Sequence, residues 1–266
     1  MKLSYPLSYG SHAINHFTKR RAQEKARFLL PHLREDFKLL DCGCGPGSIT
    51  IDFAEILKKG HVTGIDLDSS QFQWAHTEAL KRNIRNLSFY EGDVHALPFE
   101  DNQFDVVFTH AMLWTLPQPI IALHEMKRVL KPGGIMACRE IDRSSYSIHP
   151  ATPLLFKSFE LQTKALEACG SHCFMGRELE DLFRQADLKN IQASLTTDHF
   201  NQKEEIEGIV VYFIKNWTES PWVHKIRSLN LASDEEIEAI KEALQEWGRH
   251  PNAHVAGTFG EALALK

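Results

Sequence analysis

The chain has 266 residues, 43% of them hydrophobic, and a formal charge of −5. That length supports one large globular domain whose core needs no covalent staples, and dispersed basic residues on a mildly acidic chain argue against a nucleic-acid partner. No window reaches the ~18 apolar residues of a membrane span, and the start "MKLSYPLSYGSH" lacks a signal-peptide core, so a cytoplasmic protein is expected.

From residue 11 to 33 apolar positions (Ile14, Phe17, Ala22, Ala26, Leu29, Leu30) recur at helical spacing, which predicts a helix. With Tyr5 and Tyr9 ahead of it, the stretch 1–36 is expected to form an N-terminal helical lid. The Lys19-Arg20-Arg21 cluster falls inside this pattern and reads as a solvated face. The apolar run 37–42 ends at glycines, as a buried strand would, and 48–59 reads as a helix stopped by Gly60. Next come a β-branched strand at 61–68, a helix capped by Ser69, and strands at 86–93 and around Phe104–Val106–Val107–Phe108. A helix over 120–131 stops at Pro132-Gly133-Gly134, and a fifth strand covers 135–142. Strands alternating with helices at this interval imply right-handed crossovers and a doubly wound, parallel α/β sheet.

After Asp142 the rhythm changes. Residues 143–187 read as helical throughout, 190–200 as a strand, and a second helical block runs to 252. In that block Ser233 and Glu236 suit a capping box, and Ile237, Ile240, Leu244 and Trp247 form an apolar stripe. Residues 254–264 alternate enough for a last strand. With no linker or repeat, all of 1–266 is expected to be one domain: a core at 37–142 elaborated by helical cap insertions at 143–175 and 200–252.

The turn "LLDCGCGPGSIT" joins the first strand to the first crossover helix. Its G-x-G-x-G spacing differs from the G-x-G-x-x-G that seats a pyrophosphate, and it opens with an acid, Asp41, which would repel phosphates and attract a cation. Asp66 ends the second strand about twenty residues on, where a carboxylate can accept both ribose hydroxyls. Asp93 ends the third, where it or its backbone can meet an adenine edge. A ligand with a ribose, an adenine and a positive charge, but no phosphates, is S-adenosylmethionine. An NAD-dependent oxidoreductase is disfavoured by the same features.

The ordered segments "LLDCGCGPGSITIDFAE", "GHVTGIDLD", "NLSFYEGDVHALPFEDNQFDVVFTHAMLW" and "LHEMKRVLKPGGIMACREID" resemble the class I S-adenosylmethionine-dependent methyltransferases, in particular the ubiquinone/menaquinone-biosynthesis branch. The resemblance implies a Rossmann-like seven-stranded, mostly parallel sheet with an antiparallel last strand. It implies that Asp41, Gly43, Cys44 and Gly45 hold the methionine moiety, Asp66 and Leu67 the ribose, Asp93 and Val94 the adenine, and that His110 lies beside the sulfonium. S-adenosylhomocysteine would be the product, and a small, partly apolar metabolite the acceptor at O, N or C. The protein would work as a monomer or homodimer.

In-line transfer from a sulfonium needs alignment more than acid–base chemistry. His110 and Trp114, after the fourth strand, are the catalytic candidates. Related methyltransferases often carry a His where Thr115 or Leu116 stands here. Arg139, Glu140, His149, His172, Tyr212 and Trp217 are more distant candidates. The aromatics Phe156, Phe159, Phe174, Tyr212, Phe213, Trp217 and Trp222 suit either a small cap core or an apolar acceptor pocket. Two further readings stay open: a protein that binds S-adenosylmethionine without transferring its methyl, and arsenite methylation, invited only by Cys169 and Cys173. Cys169–His172–Cys173 lacks a second ligand pair, so no metal is expected, and five cysteines, an odd count, read as reduced thiols.

Overall fold

A computed structural model describes residues 6–7 and 10–266; Tyr5 and Tyr9, the tip of the expected lid, lie outside the described residues. Seven strands, β1 (Lys38–Cys42), β2 (His61–Asp66), β3 (Leu87–Glu91), β4 (Phe104–His110), β5 (Leu130–His149), β6 (Lys189–Phe200) and β7 (His254–Leu265), form one sheet in the order β3-β2-β1-β4-β5-β7-β6. Strands β1 to β5 pair in parallel, and β7 runs antiparallel between β5 and β6. This is the Rossmann-like α/β sheet expected, with its reversed strand at the chain's end.

Alternation along the central strands assigns their side chains to two cores. Leu39, Val106, Phe108 and Ala137 face one layer with Ile49 and Phe53 of α3 (Ser48–Ile56) and Leu57 just past its end, where Phe53 meets Phe108 edge-on at 5.1 Å. Leu40, Val107, Met136 and Cys138 face the other with α5 (Pro119–Val129) and α7 (Met175–Gln185). Because both faces are covered, Phe104, Val106, Val107 and Phe108 of β4 are all buried, interrupted by Asp105, whose carboxylate accepts the Lys38 N–H at 2.8 Å. Ahead of α4 (Phe72–Lys81) the Asp68 carboxylate caps a 3-10 turn (Ser69–Gln71) by accepting from Ser70 N–H, and α4 follows from Gln71 with no side-chain cap, so the expected Ser69 cap is not formed.

Two segments differ from expectation. The helix over 11–33 is instead α1 (Ser11–Phe17), α2 (Ala22–Lys25) and a 3-10 turn at Leu30–His32. Arg21 folds onto the Thr18 and Arg20 carbonyls (2.7 Å each), and Asp52, thirty positions away, accepts the Ala22 N–H at 2.9 Å. A cap borrowed from another element leaves no local signal. Residues 143–149 are strand, not helix: β5 continues past a bulge and pairs Ser147, Ile148 and His149 with β7. Only the partner strand, a hundred residues later, decides that.

The remaining helices are α6 (Pro153–Glu167), α8 (Lys203–Glu219), α9 (Pro221–Ser228) and α10 (Asp234–Arg249). The Ser233–Glu236 capping box is formed, and the α10 stripe Ile237, Ile240, Leu244 and Trp247 is buried. Trp217 and Trp222 pack edge-on at 4.9 Å inside this helical layer, and Trp247 Nε1–H donates to the His149 carbonyl at 2.8 Å. No helix among the described residues is long and apolar enough to cross a membrane.

Candidate functional site

A cavity of about 670 Å³ opens at the carboxyl ends of β1, β2 and β4, where a doubly wound sheet presents its crevice. Of the residues singled out from the sequence, Asp41, Gly43, Cys44, Gly45, Asp66, Leu67, Val94, His110 and Trp114 line it. Asp93 does not: its carboxylate caps the following 3-10 turn through the His95 N–H at 2.9 Å and meets His95 Nδ1 at 2.8 Å. Its neighbours Gly92 and Val94 reach the cavity instead.

The glycine turn runs through left-handed backbone, with φ +69° at Gly43, +55° at Gly45 and +80° at Gly47. At Gly43 a Cβ would sit 2.4 Å from Met112 Cγ, whereas at Gly45 it would meet only Gln71 Oε1 at 3.6 Å and so project into open space. The turn is therefore bare backbone facing the cavity, held from behind: Asp66 accepts the Gly45 N–H at 2.8 Å, and Gly43 and Cys44 N–H both donate to the Ile65 carbonyl.

Two carboxylates border this turn with no Lys, Arg or His partner among the described residues. Asp41 is 3% exposed and accepts only the Thr50 hydroxyl (2.7 Å); burial raises its pKa to about 7. Burial also raises that of Asp66, against the N–H donors of Gly45 and Asp68. Unpaired acids held out of water favour a cationic neighbour. Cys44 is no nucleophile, because burial and the nearby Asp66 and Asp41 push its thiol pKa well above the ordinary value.

His110 ends β4 with its Nδ1 3.3 Å from the Arg139 carbonyl, so Nδ1 carries the hydrogen and Nε2 the lone pair. Burial first, then Arg20, Arg139 and Lys25, hold its pKa well below the ordinary value, and the imidazole is neutral. The Trp114 indole N–H is already used on the Ala111 carbonyl (3.1 Å), which makes Trp114 a wall and not a proton donor.

The residue that shapes this loop is Glu140, a distant candidate from the sequence. Fully buried, it accepts the backbone N–H groups of Met112 (3.1 Å), Leu113 (2.9 Å) and Trp114 (3.3 Å), and burial raises its pKa to about 7. Ala111, just before, is held at φ +55°. Arg139 likewise serves the frame: it pairs with Asp198 at 2.8 Å and Glu261 at 3.2 Å, and Lys25 joins Asp198 at 2.9 Å, which ties α2 to β5, β6 and β7.

The aromatics divide. Tyr212 and Phe213 line the cavity, together with His16, Phe17, Tyr146 and Phe259, which the sequence did not single out as site residues. His16 stacks on Tyr212 at 4.5 Å and is kept neutral, its pKa lowered to about 3 by burial and by Arg20, Lys19 and Lys25. Phe159, Phe174, Trp217 and Trp222 serve the packing of the helical layer, and Phe156 is exposed. His149 stacks on His254 away from the cavity, and His172 contributes its backbone N–H to the Trp114 carbonyl. Neither Cys169 nor Cys173 lines the cavity, and no cluster of three or more His, Cys, Asp or Glu suited to a metal ion occurs among the described residues.

Comparison with known proteins bears on the family and the fold. The family profile described as "Methyltransferase domain" matches residues 33–201. An "Uncharacterized methyltransferase" of Schizosaccharomyces pombe is 31% identical over 100% of this chain and 97% of its own length. A demethylmenaquinone methyltransferase of Staphylococcus aureus is 31% identical over 65% of this chain and 78% of its own. Among solved structures, phosphoethanolamine N-methyltransferase 2 of Haemonchus contortus in complex with S-adenosyl-L-methionine superposes with a TM-score of 0.56, at 16% identity, over 92% of this chain and 51% of that one.

Proposed function

The chain belongs to the S-adenosylmethionine-dependent methyltransferases of the methyltransferase-domain family, and on that premise we propose that it transfers a methyl group to O, N or C of a small, partly apolar metabolite held under its helical layer. The observation that carries the reading is the pair Asp41 and Asp66, unpaired acids on either side of a bare glycine turn. The group they suit is cationic at the sulfonium and amino ends and carries ribose hydroxyls; a Cβ at Gly45 would take up space it needs.

Asp66 would accept the ribose hydroxyls beside Leu67, the backbone around Gly92 and Val94 would meet the adenine, and the turn from Asp41 through Cys44 to Gly45 would hold the methionine end. Asp93 acts through its turn and not by its carboxylate. The cofactor supplies a methyl group on a good leaving group; the protein supplies alignment, which reaches roughly 7–11 kcal/mol in favourable cases. His110 stays neutral, so it adds no positive charge against the sulfonium, and its Nε2 accepts a hydrogen bond from the incoming acceptor. Trp114 and Glu140 fix the wall that sets the line of attack.

The test is calorimetric titration with S-adenosylmethionine and S-adenosylhomocysteine, repeated on Asp66→Ala. Micromolar binding is expected, weakened at least about tenfold in the variant, because a hydrogen bond to a charged acceptor contributes roughly 1.5–3 kcal/mol. No binding of either ligand by the parent protein refutes the proposal. Binding without transfer of labelled methyl into any small-molecule fraction of a cell extract would favour a non-transferring binder.

A further inference from the structure

Three cationic side chains are buried among the described residues: Lys25, Arg139 and Arg143. Lys25 and Arg139 share Asp198, and Arg139 also holds Glu261. Arg143 is 8% exposed, lines the cavity, and has no carboxylate partner among the described residues. Its Nη2 donates to the neutral Gln162 Oε1, and its Nε has no hydrogen-bond partner among the described residues. The guanidinium faces aromatic rings, with Tyr146 at 5.2 Å and Trp114 at 5.7 Å to the centroids. Such contacts recover only part of what a buried charge loses on leaving water.

The position is specific. Arg143 stands on the extension of β5 beyond Asp142, beside the Trp114 wall and across from α6 and α8. Tyr212 of α8 feels both Arg143 and Arg20, which pull its pKa down against the larger raising effect of burial. The two unpaired acids border the glycine turn, whereas the unpaired cation stands among aromatics. One cavity thus has an acidic part suited to a positive ligand and a cationic, ring-lined part suited to something else.

Building on the proposed methyl transfer, we infer that the methyl acceptor is a flat unsaturated organic acid, and that Arg143, steadied by Gln162, binds its ionised oxygen while Trp114, Tyr146 and Tyr212 enclose its body. A guanidinium offers a planar fork of donors suited to a carboxylate, and equally to an acidic phenol or enol oxygen. Substrate binding would supply the counter-ion that the fold withholds.

The experiment uses the full chain saturated with S-adenosylhomocysteine and four probes. 2-Naphthoate and 4-nitrophenolate carry the charge as carboxylate or phenolate; 2-naphthamide and 4-nitroanisole are their uncharged counterparts. Each is titrated by ligand-observed nuclear magnetic resonance against the parent, Arg143→Met and Arg143→Lys. At least one acid is expected to bind at least about tenfold more tightly than its neutral counterpart, the usual reach of one charged hydrogen bond. Arg143→Met should abolish that preference, Arg143→Lys should keep part of it, and S-adenosylhomocysteine should bind all three proteins alike. Which acid is preferred separates carboxylate from phenolate acceptors.

Equal binding of acids and neutral counterparts, binding of none of the four, or a preference that survives Arg143→Met overturns the inference. A second reading needs no probe. If Arg143 is kept for substrate, the unliganded Arg143→Met protein melts at a higher temperature than the parent; if it merely holds the fold, it melts lower, and the inference fails. Failure of S-adenosylhomocysteine to bind the parent is a separate result and refutes the methyltransferase proposal itself.

Discussion

Replacing Asp41 with Asn tests whether the acid beside the glycine turn is kept for a cationic ligand at the expense of stability. Its pKa rises from 3.8 to about 7 because burial removes water and only the Thr50 hydroxyl compensates. About three pH units at roughly 1.4 kcal/mol each put the cost of the ionised side chain near ~4 kcal/mol above about pH 8, an upper figure. The folded state therefore binds a proton between about pH 4 and 7 that the unfolded chain releases. The stability this contributes is complete below the unfolded pKa and is lost as pH rises through about 7.

Asn keeps the size and can still accept from Thr50, but carries no charge. In urea titrations of the unliganded protein, Asp41→Asn should be more stable than the parent by roughly 1–3 kcal/mol near pH 8, and indistinguishable or slightly weaker near pH 5. Calorimetry should show the opposite for ligand: weaker S-adenosylmethionine binding at pH 8 and, below about pH 7 where the parent's Asp41 still holds its proton, loss of the proton release that accompanies binding to the parent. Equal stability of the two proteins at both pH values would refute the reasoning, since Asp41 would then be solvated or otherwise compensated.

Gly43→Ala puts a Cβ at φ +69° and 2.4 Å from Met112 Cγ; a left-handed conformation costs a non-glycine residue roughly 1–2 kcal/mol, and the unfolding free energy from denaturant titration should fall by at least that while Met112 shifts toward the cavity. Glu140→Ala leaves three backbone N–H groups without their acceptor. With each unsatisfied buried donor costing about 1–3 kcal/mol and water replacing part of it, a loss of roughly 2–4 kcal/mol is expected. Amide exchange at Met112 to Trp114 should accelerate beyond what the global loss explains, and unchanged protection there would show that Glu140 does not hold the loop.

The α/β order and the glycine turn were legible because they rest on local physics, whereas the reversed last strand was expected only through the family resemblance. Phe104, Val106, Val107 and Phe108 are apolar since β4 is covered on both faces, and Ser233 with Glu236 caps its own helix three positions apart. Asp41 and Asp66 could be singled out because strand ends in a parallel sheet converge on one crevice, so residues that close strands share a site whatever lies between them. Asp93 follows the same rule by position yet turns its carboxylate to His95, a choice made by a local capping bond that strand order does not report.

What only the tertiary structure decided depends on partners distant in the chain. The break at Thr18–Arg21 needs Asp52, and the strand at 147–149 needs β7. Glu140 is an ordinary acid in a strand until the loop from Met112 to Trp114 folds over it. Arg143 is one of 30 basic residues in the sequence. Its burial without a counter-charge exists only once β5 has been extended and α6 and α8 laid across the crevice, because charge compensation is a property of three-dimensional neighbours and not of spacing along the chain.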